Sequence, residues 1–182
     1  LSLSACLLLS VVALFLEGAK SKMVTQSHYD RAVEIGRWLQ QKEWRIATAE
    51  SCTAGGIGYA LSAVAGSSAW LEGGFITYSN ALKERVLGVP HEVLVEHGAV
   101  SAATAEAMAV GAKRLAGTEV AIAVTGVAGP SGGSAEKPVG LVWFGLAWPT
   151  GQLSWSRHFQ GDRAAVREAT IEEALGCFEK IS

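Results

Sequence analysis

Ala47–Gly56 reads A-T-A-E-S-C-T-A-G-G. The apolar run Trp44–Ala49 has the character of a buried strand, and it ends abruptly in Glu50, Ser51, Cys52 and Thr53 before small residues and two glycines. A strand that turns directly into a helix has this pattern, and the first amides of such a helix have no intrahelical partners. The corner therefore offers Ser51 as a nucleophilic hydroxyl beside an anion site made of backbone N–H groups.

Working outward, Tyr29, Ala32, Val33, Gly36 and Leu39 recur at helical spacing, which predicts an amphipathic helix over Ser27–Gln41. The small-residue run from Thr53 to Val64 reads as a second helix, ended by Gly66-Ser67-Ser68. Gly73–Tyr78 reads as a strand, and a short helix near Ala81–Leu87 is stopped by Gly88 and Pro90. Ser101 opens an alanine-rich helix reaching about Leu115. Val120–Val124 is apolar throughout, as expected of a strand buried on both faces. After the glycine-rich loop Gly126–Gly133, a long strand spans Val139–Trp148. Strict alternation over Leu153–Phe159 marks a half-exposed strand near a sheet edge, and Asp162 sits where the last helix needs its N-cap. The pattern is α/β: a three-layer α/β/α sandwich around a mixed, mostly parallel sheet of about five strands.

The chain has 182 residues, 49% of them hydrophobic and 18% charged, which suits one well-packed domain. A formal charge of -2 and the lack of any basic cluster argue against nucleic acid or a membrane surface as partner. Cys6, Cys52 and Cys177 are too widely spaced for a zinc site or a disulfide framework, in keeping with a reducing compartment such as the cytoplasm. His28, His91, His97 and His158 show no paired-ligand spacing, so no metal is expected. Residues 1–22 begin with a strongly apolar run that lacks a basic leader and a clean cleavage site, and it is short of the roughly 20 residues a membrane helix needs. They are expected to be an extension outside the fold, with Met23 as the natural start and residues 23–182 as the domain.

Three stretches rich in glycine and small polar residues each follow a strand: Glu50–Gly56, Thr77–Lys83 and Thr125–Lys137. Ligands of open α/β sheets bind beyond the carboxyl ends of the strands, so these loops supply the binding candidates. They are Thr53, Gly55 and Gly56; Tyr78, Ser79 and Asn80; and Thr125, Gly126, Gly129, Gly132 and Gly133.

Ser51 needs a base. Asp30 and Asp162 are the only aspartates and neither lies in these loops; none of the four histidines does either. A Ser-His-Asp triad is thus unsupported. Of the seven lysines only Lys83 and Lys137 fall in the loops. A lysine at its usual pKa of about 10.4 is neutral roughly once in 2,000 at pH 7, so a base must be desolvated. Lys83, on a short helix that can pack against the sheet, meets that condition better than Lys137 between Glu136 and Pro138. Cys52 is a rival nucleophile whose pKa a helix N-terminus would lower, but it has no histidine partner and is expected to be a small buried residue. Glu50 fits either a general acid–base role or an anchor for backbone amides.

The chain resembles the CinA C-terminal domain, the nicotinamide-nucleotide amidase family. T-A-E-S-C-T-A-G-G (48–56), G-S-S-A-W-L-E-G-G-F-I-T-Y-S-N (66–80) with Lys83, H-G-A-V-S (97–101), V-T-G-V-A-G-P-S-G-G (124–133) and E-K-P-V-G (136–140) carry the resemblance in order. It implies a cofactor-free, cytoplasmic amidohydrolase that converts nicotinamide mononucleotide to nicotinic acid mononucleotide and ammonia in pyridine nucleotide recycling. It further implies Ser51 as nucleophile, Lys83 as base, Tyr78 and Thr125 as polar lining, and Arg163 as a candidate for the substrate phosphate. Ala54 departs from the glycine the family often has there. Some members keep the fold with little activity, so a nucleotide-binding module is the alternative. A homodimer is expected, with Trp70 and Phe75 suited to its interface.

Overall fold

The computed structural model describes residues 24–181; the apolar segment 1–22 and the boundary at Met23 lie outside the described residues. In chain order the elements are α1 (Gln26–Gln41), β1 (Ile46–Glu50), α2 (Gly56–Ser62), β2 (Leu71–Ile76), α3 (Asn80–Leu87), α4 (His91–His97), α5 (Ala102–Ala116), β3 (Val120–Gly126), β4 (Leu141–Trp148), β5 (Gly151–His158) and α6 (Arg163–Leu175). Short 3₁₀ turns occupy Ser67–Ala69 and Cys177–Lys180.

The strands form one sheet in the order β2-β1-β3-β4-β5. β1 pairs parallel with β2 and with β3, whereas β4 pairs antiparallel with both β3 and β5. Four strands therefore point the same way and β4 alone is reversed. The alternating stretch before Phe159 is indeed an edge strand, β5.

Side-chain size sorts the two faces. Ile46, Val120, Ile122, Val124, Phe144 and Leu146 point one way, into a core shared with Ile35 and Leu39 of α1, Ile57 and Leu61 of α2, and Val166 and Leu175 of α6. Ala47, Ala49, Ala121, Ala123 and Ala147 point the other way, against Met108, Ala109 and Ala112 of α5, Leu87 of α3 and Leu94 of α4. Alanine on both partners lets α5 lie close on the sheet. This is the expected α/β/α sandwich, and burial of two apolar sheet faces is what drives it.

Several local expectations differ from the structure. α2 begins at Gly56 rather than Thr53, because Ser51–Gly55 is spent on turns with Ala54 at φ 52° and Gly55 at φ 96°. α4 was not foreseen; it buries only Leu94 and has Pro90 in place of a side-chain cap, so its periodicity is faint. Trp70 is 2% exposed and its indole packs on Gly36 of α1, where an added Cβ would come within 2.8 Å of the ring. It belongs to the core and is not free for an interface; Phe75 is half-buried against the alanine face. Among the described residues, no helix is long and apolar enough to cross a membrane.

Candidate active site

The carboxyl ends of β1, β2 and β3 define one rim of the sheet. At the end of β1, the Ser51 amide donates to Val124 O at 3.1 Å, continuing the ladder one residue past the strand. The chain then turns, with Ala54 N–H donating to Ser51 O. At the end of β2, Thr77 N–H donates to Glu50 O, and Ser79 caps α3 by accepting from Leu82 N–H. Asn80 is the first residue of that helix and is exposed.

Lys83 occupies the inward stripe of α3 together with Leu87, one turn later, in a position that would ordinarily hold an apolar residue. It is 1% exposed. Its Nζ lies 3.1 Å from Ser51 Oγ, 2.8 Å from Thr77 O and 3.2 Å from Tyr78 O. These three partners suit an ammonium that donates to all of them as well as a neutral amine that donates to the two carbonyls and accepts from the hydroxyl. Desolvation pushes the Lys83 pKa down to about 8. The census of lysines in the sequence thus selects the residue that the fold seats against Ser51.

Ser51, Cys52, Tyr78, Lys83, Ala99, Val100, Thr125, Gly126, Ala128 and Arg163 line a cavity of about 190 Å³. Thr125 shapes its wall by donating through Oγ1 to Ala99 O at 2.7 Å, which fixes the loop between α4 and α5. Arg163 reaches the rim because β5 runs with β1–β3 and delivers the start of α6 to the same end of the sheet. Its guanidinium donates to Gly129 O at 2.9 Å and to Tyr78 Oη at 3.2 Å. Ala128 and Arg163 also line an adjoining hollow of about 620 Å³, with Pro130, Val139, Gly161, Asp162, Ala164 and Arg167.

The remaining sequence candidates lie apart from this cavity. Thr53 is fully buried and donates its hydroxyl to Glu50 at 2.6 Å. Gly55 and Gly56 border a separate hollow with Tyr59 and Ile171. Gly132 and Gly133 lie on the exposed part of the glycine-rich loop.

Glu50 resolves the two roles left open for it. Its carboxylate, 1% exposed, accepts from the hydroxyls of Thr48 and Thr53 and from the amides of Gly55, Ile57 and Gly58. The start of α2 is therefore filled by an internal anion and is not an open anion site. The sequence signal was available, since a carboxylate a few residues before a helix start can fold back onto its free amides. The amide of Cys52, in contrast, has no backbone acceptor among the described residues. Burial raises the Cys52 thiol to about 11, the reverse of what an exposed helix end would do, so the thiol is protonated and acts as packing.

Sequence reasoning missed Arg167. One turn after Arg163 on α6, it borders the larger hollow and donates to Thr53 O at 3.0 Å, while its buried Nε has no acceptor. Its i, i+4 spacing from Arg163 is the signal that could have found it. Among the described residues, no group of three His, Cys, Asp or Glu could hold a metal ion.

The fold thus sets a buried serine hydroxyl against a buried lysine amine at the strand-end rim of an α/β/α sandwich, within reach of proton transfer between them. The chain belongs to the CinA C-terminal domain family, whose model matches residues 28–181. A protein of Enterobacter agglomerans named nicotinamide-nucleotide amidohydrolase PncC is 51% identical over 140 residues, covering 76% of this chain and 85% of that one. The protein of the same name from Escherichia coli strain K12 is 46% identical over 143 residues, covering 78% and 87%. Among solved structures, competence/damage inducible protein CihA from Agrobacterium tumefaciens is 42% identical with a TM-score of 0.83, covering 86% of this chain and 96% of that one.

Proposed function

We propose that this protein deamidates nicotinamide mononucleotide, giving nicotinic acid mononucleotide and ammonia for pyridine nucleotide recycling. The 3.1 Å approach of Lys83 Nζ to Ser51 Oγ, with both residues buried, carries the reading. The relatives named nicotinamide-nucleotide amidohydrolase support the choice of substrate.

In this mechanism neutral Lys83 takes the Ser51 proton as Oγ attacks the carboxamide carbon. The Cys52 amide, which has no backbone acceptor among the described residues, is assigned to the developing oxyanion. Protonated Lys83 then gives its proton to the departing nitrogen, and ammonia leaves. Water hydrolyses the acyl-enzyme with Lys83 again as base, releasing the carboxylate and restoring the Ser51 hydroxyl. The ring and its carboxamide would enter the smaller cavity, and the ribose phosphate the larger hollow, with Arg163 on the phosphate. The unpaired thiols of Cys52 and Cys177 accord with work in a reducing compartment.

Ammonia release from nicotinamide mononucleotide by the full chain tests the reading. Turnover by the native chain and its loss in Ser51→Ala are expected. Calorimetric binding of the nucleotide without ammonia release would instead identify a binding module, and near-normal turnover by Ser51→Ala would displace Ser51 as nucleophile.

A further inference from the structure

The surroundings of Lys83 leave the base incompletely prepared. Its nitrogen touches one hydroxyl and two carbonyl oxygens. The other titratable or charged residues lining the same cavity are Cys52 from the β1–α2 turn, Tyr78 from the segment after β2, and Arg163 from α6. The α4–α5 loop presents only Ala99 and Val100, and β3 presents Thr125. Among the described residues no carboxylate lines this cavity, and Glu50 is fully engaged at the start of α2. Burial brings Lys83 to about 8, which still leaves most of it protonated at neutral pH.

The substrate class named above, on which this inference rests, carries a charge of its own. A nicotinamide joined to ribose through its ring nitrogen is a pyridinium cation. Attack requires the carboxamide carbon about 3–3.5 Å from Ser51 Oγ, which places the ring nitrogen on the order of 7 Å from Lys83 Nζ. Among the described residues no carboxylate lines the cavity to neutralise that charge.

We propose that the positive charge of the substrate's pyridinium ring completes the activation of Lys83, so that the site favours carboxamides borne on a cationic ring over those on a neutral one. A like charge this close in a desolvated cavity disfavours the ammonium form. Binding therefore drives the Nζ proton out to solvent before the first covalent step, and the amine meets Ser51 with its lone pair free. The dihydro form of the same nucleotide keeps the phosphate and the carboxamide but has a neutral ring, so it isolates this effect.

The test follows the Lys83 ¹³Cε signal against pH in full-length Ser51→Ala, with Lys83→Met used to assign the signal. With nicotinamide mononucleotide bound, its midpoint should fall about one pH unit or more below the midpoint with dihydronicotinamide mononucleotide bound. In the native enzyme, kcat for the pyridinium substrate should rise at lower pH than kcat/KM does. Equal midpoints for the two ligands, or a higher one with the pyridinium, would overturn the inference while leaving the amidase reading intact. Failure of the native chain to bind the pyridinium nucleotide would overturn both.

Discussion

Arg163 Nη2 donates to Tyr78 Oη across 3.2 Å, joining the start of α6 to the segment after β2 over the cavity that contains Ser51. The same guanidinium is held at its other nitrogen by Gly129 O, and among the described residues it forms no ion pair. A cation kept in place by neutral partners is available to an anionic ligand. Arg163→Ala should raise KM for nicotinamide mononucleotide by roughly 30-fold or more, in line with loss of a charge-assisted hydrogen bond. Turnover of the phosphate-free riboside should barely change. Steady-state kinetics on the two substrates checks this.

Lys83→Met preserves the length and burial of the side chain while removing the proposed base. Ammonia release should fall by about 10²–10⁴-fold with little change in KM. Circular dichroism should show an unchanged fold, because Met suits the inward stripe of α3 that Lys83 shares with Leu87.

The lowered pKa of Lys83, about 8, makes two linked statements about pH. Activity should rise through about pH 8 in kcat/KM, since the proposed mechanism works through the neutral amine. Stability should rise over the window from about 8 to the usual lysine range, where the unfolded chain holds a proton that the folded one has released. Below that window both states are protonated and the folded state bears the full cost of a buried charge, on the order of 3 kcal/mol. Denaturant unfolding at pH 7 and pH 9.5 should show this pH-dependent gain in the native chain and its absence in Lys83→Met.

Glu50→Ala would strip the acceptor from three amides and two hydroxyls at once. A cost on the order of 3–5 kcal/mol is expected, which lowers Tm by about 10 °C or more. Differential scanning calorimetry measures it. Glu50→Gln should lie between this variant and the native chain, because one amide oxygen can still accept.

Ala54 holds φ 52°, a conformation that penalises a side chain by about 1–2 kcal/mol. Ala54→Gly should therefore stabilise the chain by about 1 kcal/mol, less the extra freedom glycine gains when unfolded. It is exposed and does not line the Ser51 cavity, so activity should be unaffected.

The Ser51 corner and Lys83 were legible because they rest on residue types that are scarce here: a lysine in a polar loop, no aspartate or histidine to compete. Helix limits marked by side-chain caps, Ser101 and Asp162, were legible as well. The direction of Glu50 was not, because one residue type suits both catalysis and amide capture until the turn geometry decides. Nor was the interior place of Trp70, which depends on Gly36 of α1 lying against its indole at the end of the 3₁₀ turn before β2. α4 was hidden because a single buried leucine gives no period.

The reversed strand has a consequence for how this site can diverge. A parallel β4 would have required the chain to cross to the far end of the sheet before returning. Because β4 runs backward, segment 127–140 leaves the rim and comes back to it, anchored at both feet by the pairing of Val127 with Leu141 and Gly140 with Val127. Its length and side chains can drift without disturbing any ladder. Ala128, Pro130 and Val139 wall the larger hollow from this one segment. Changes confined to this one hairpin can thus reshape the larger hollow while the Ser51–Lys83 contact stays as it is.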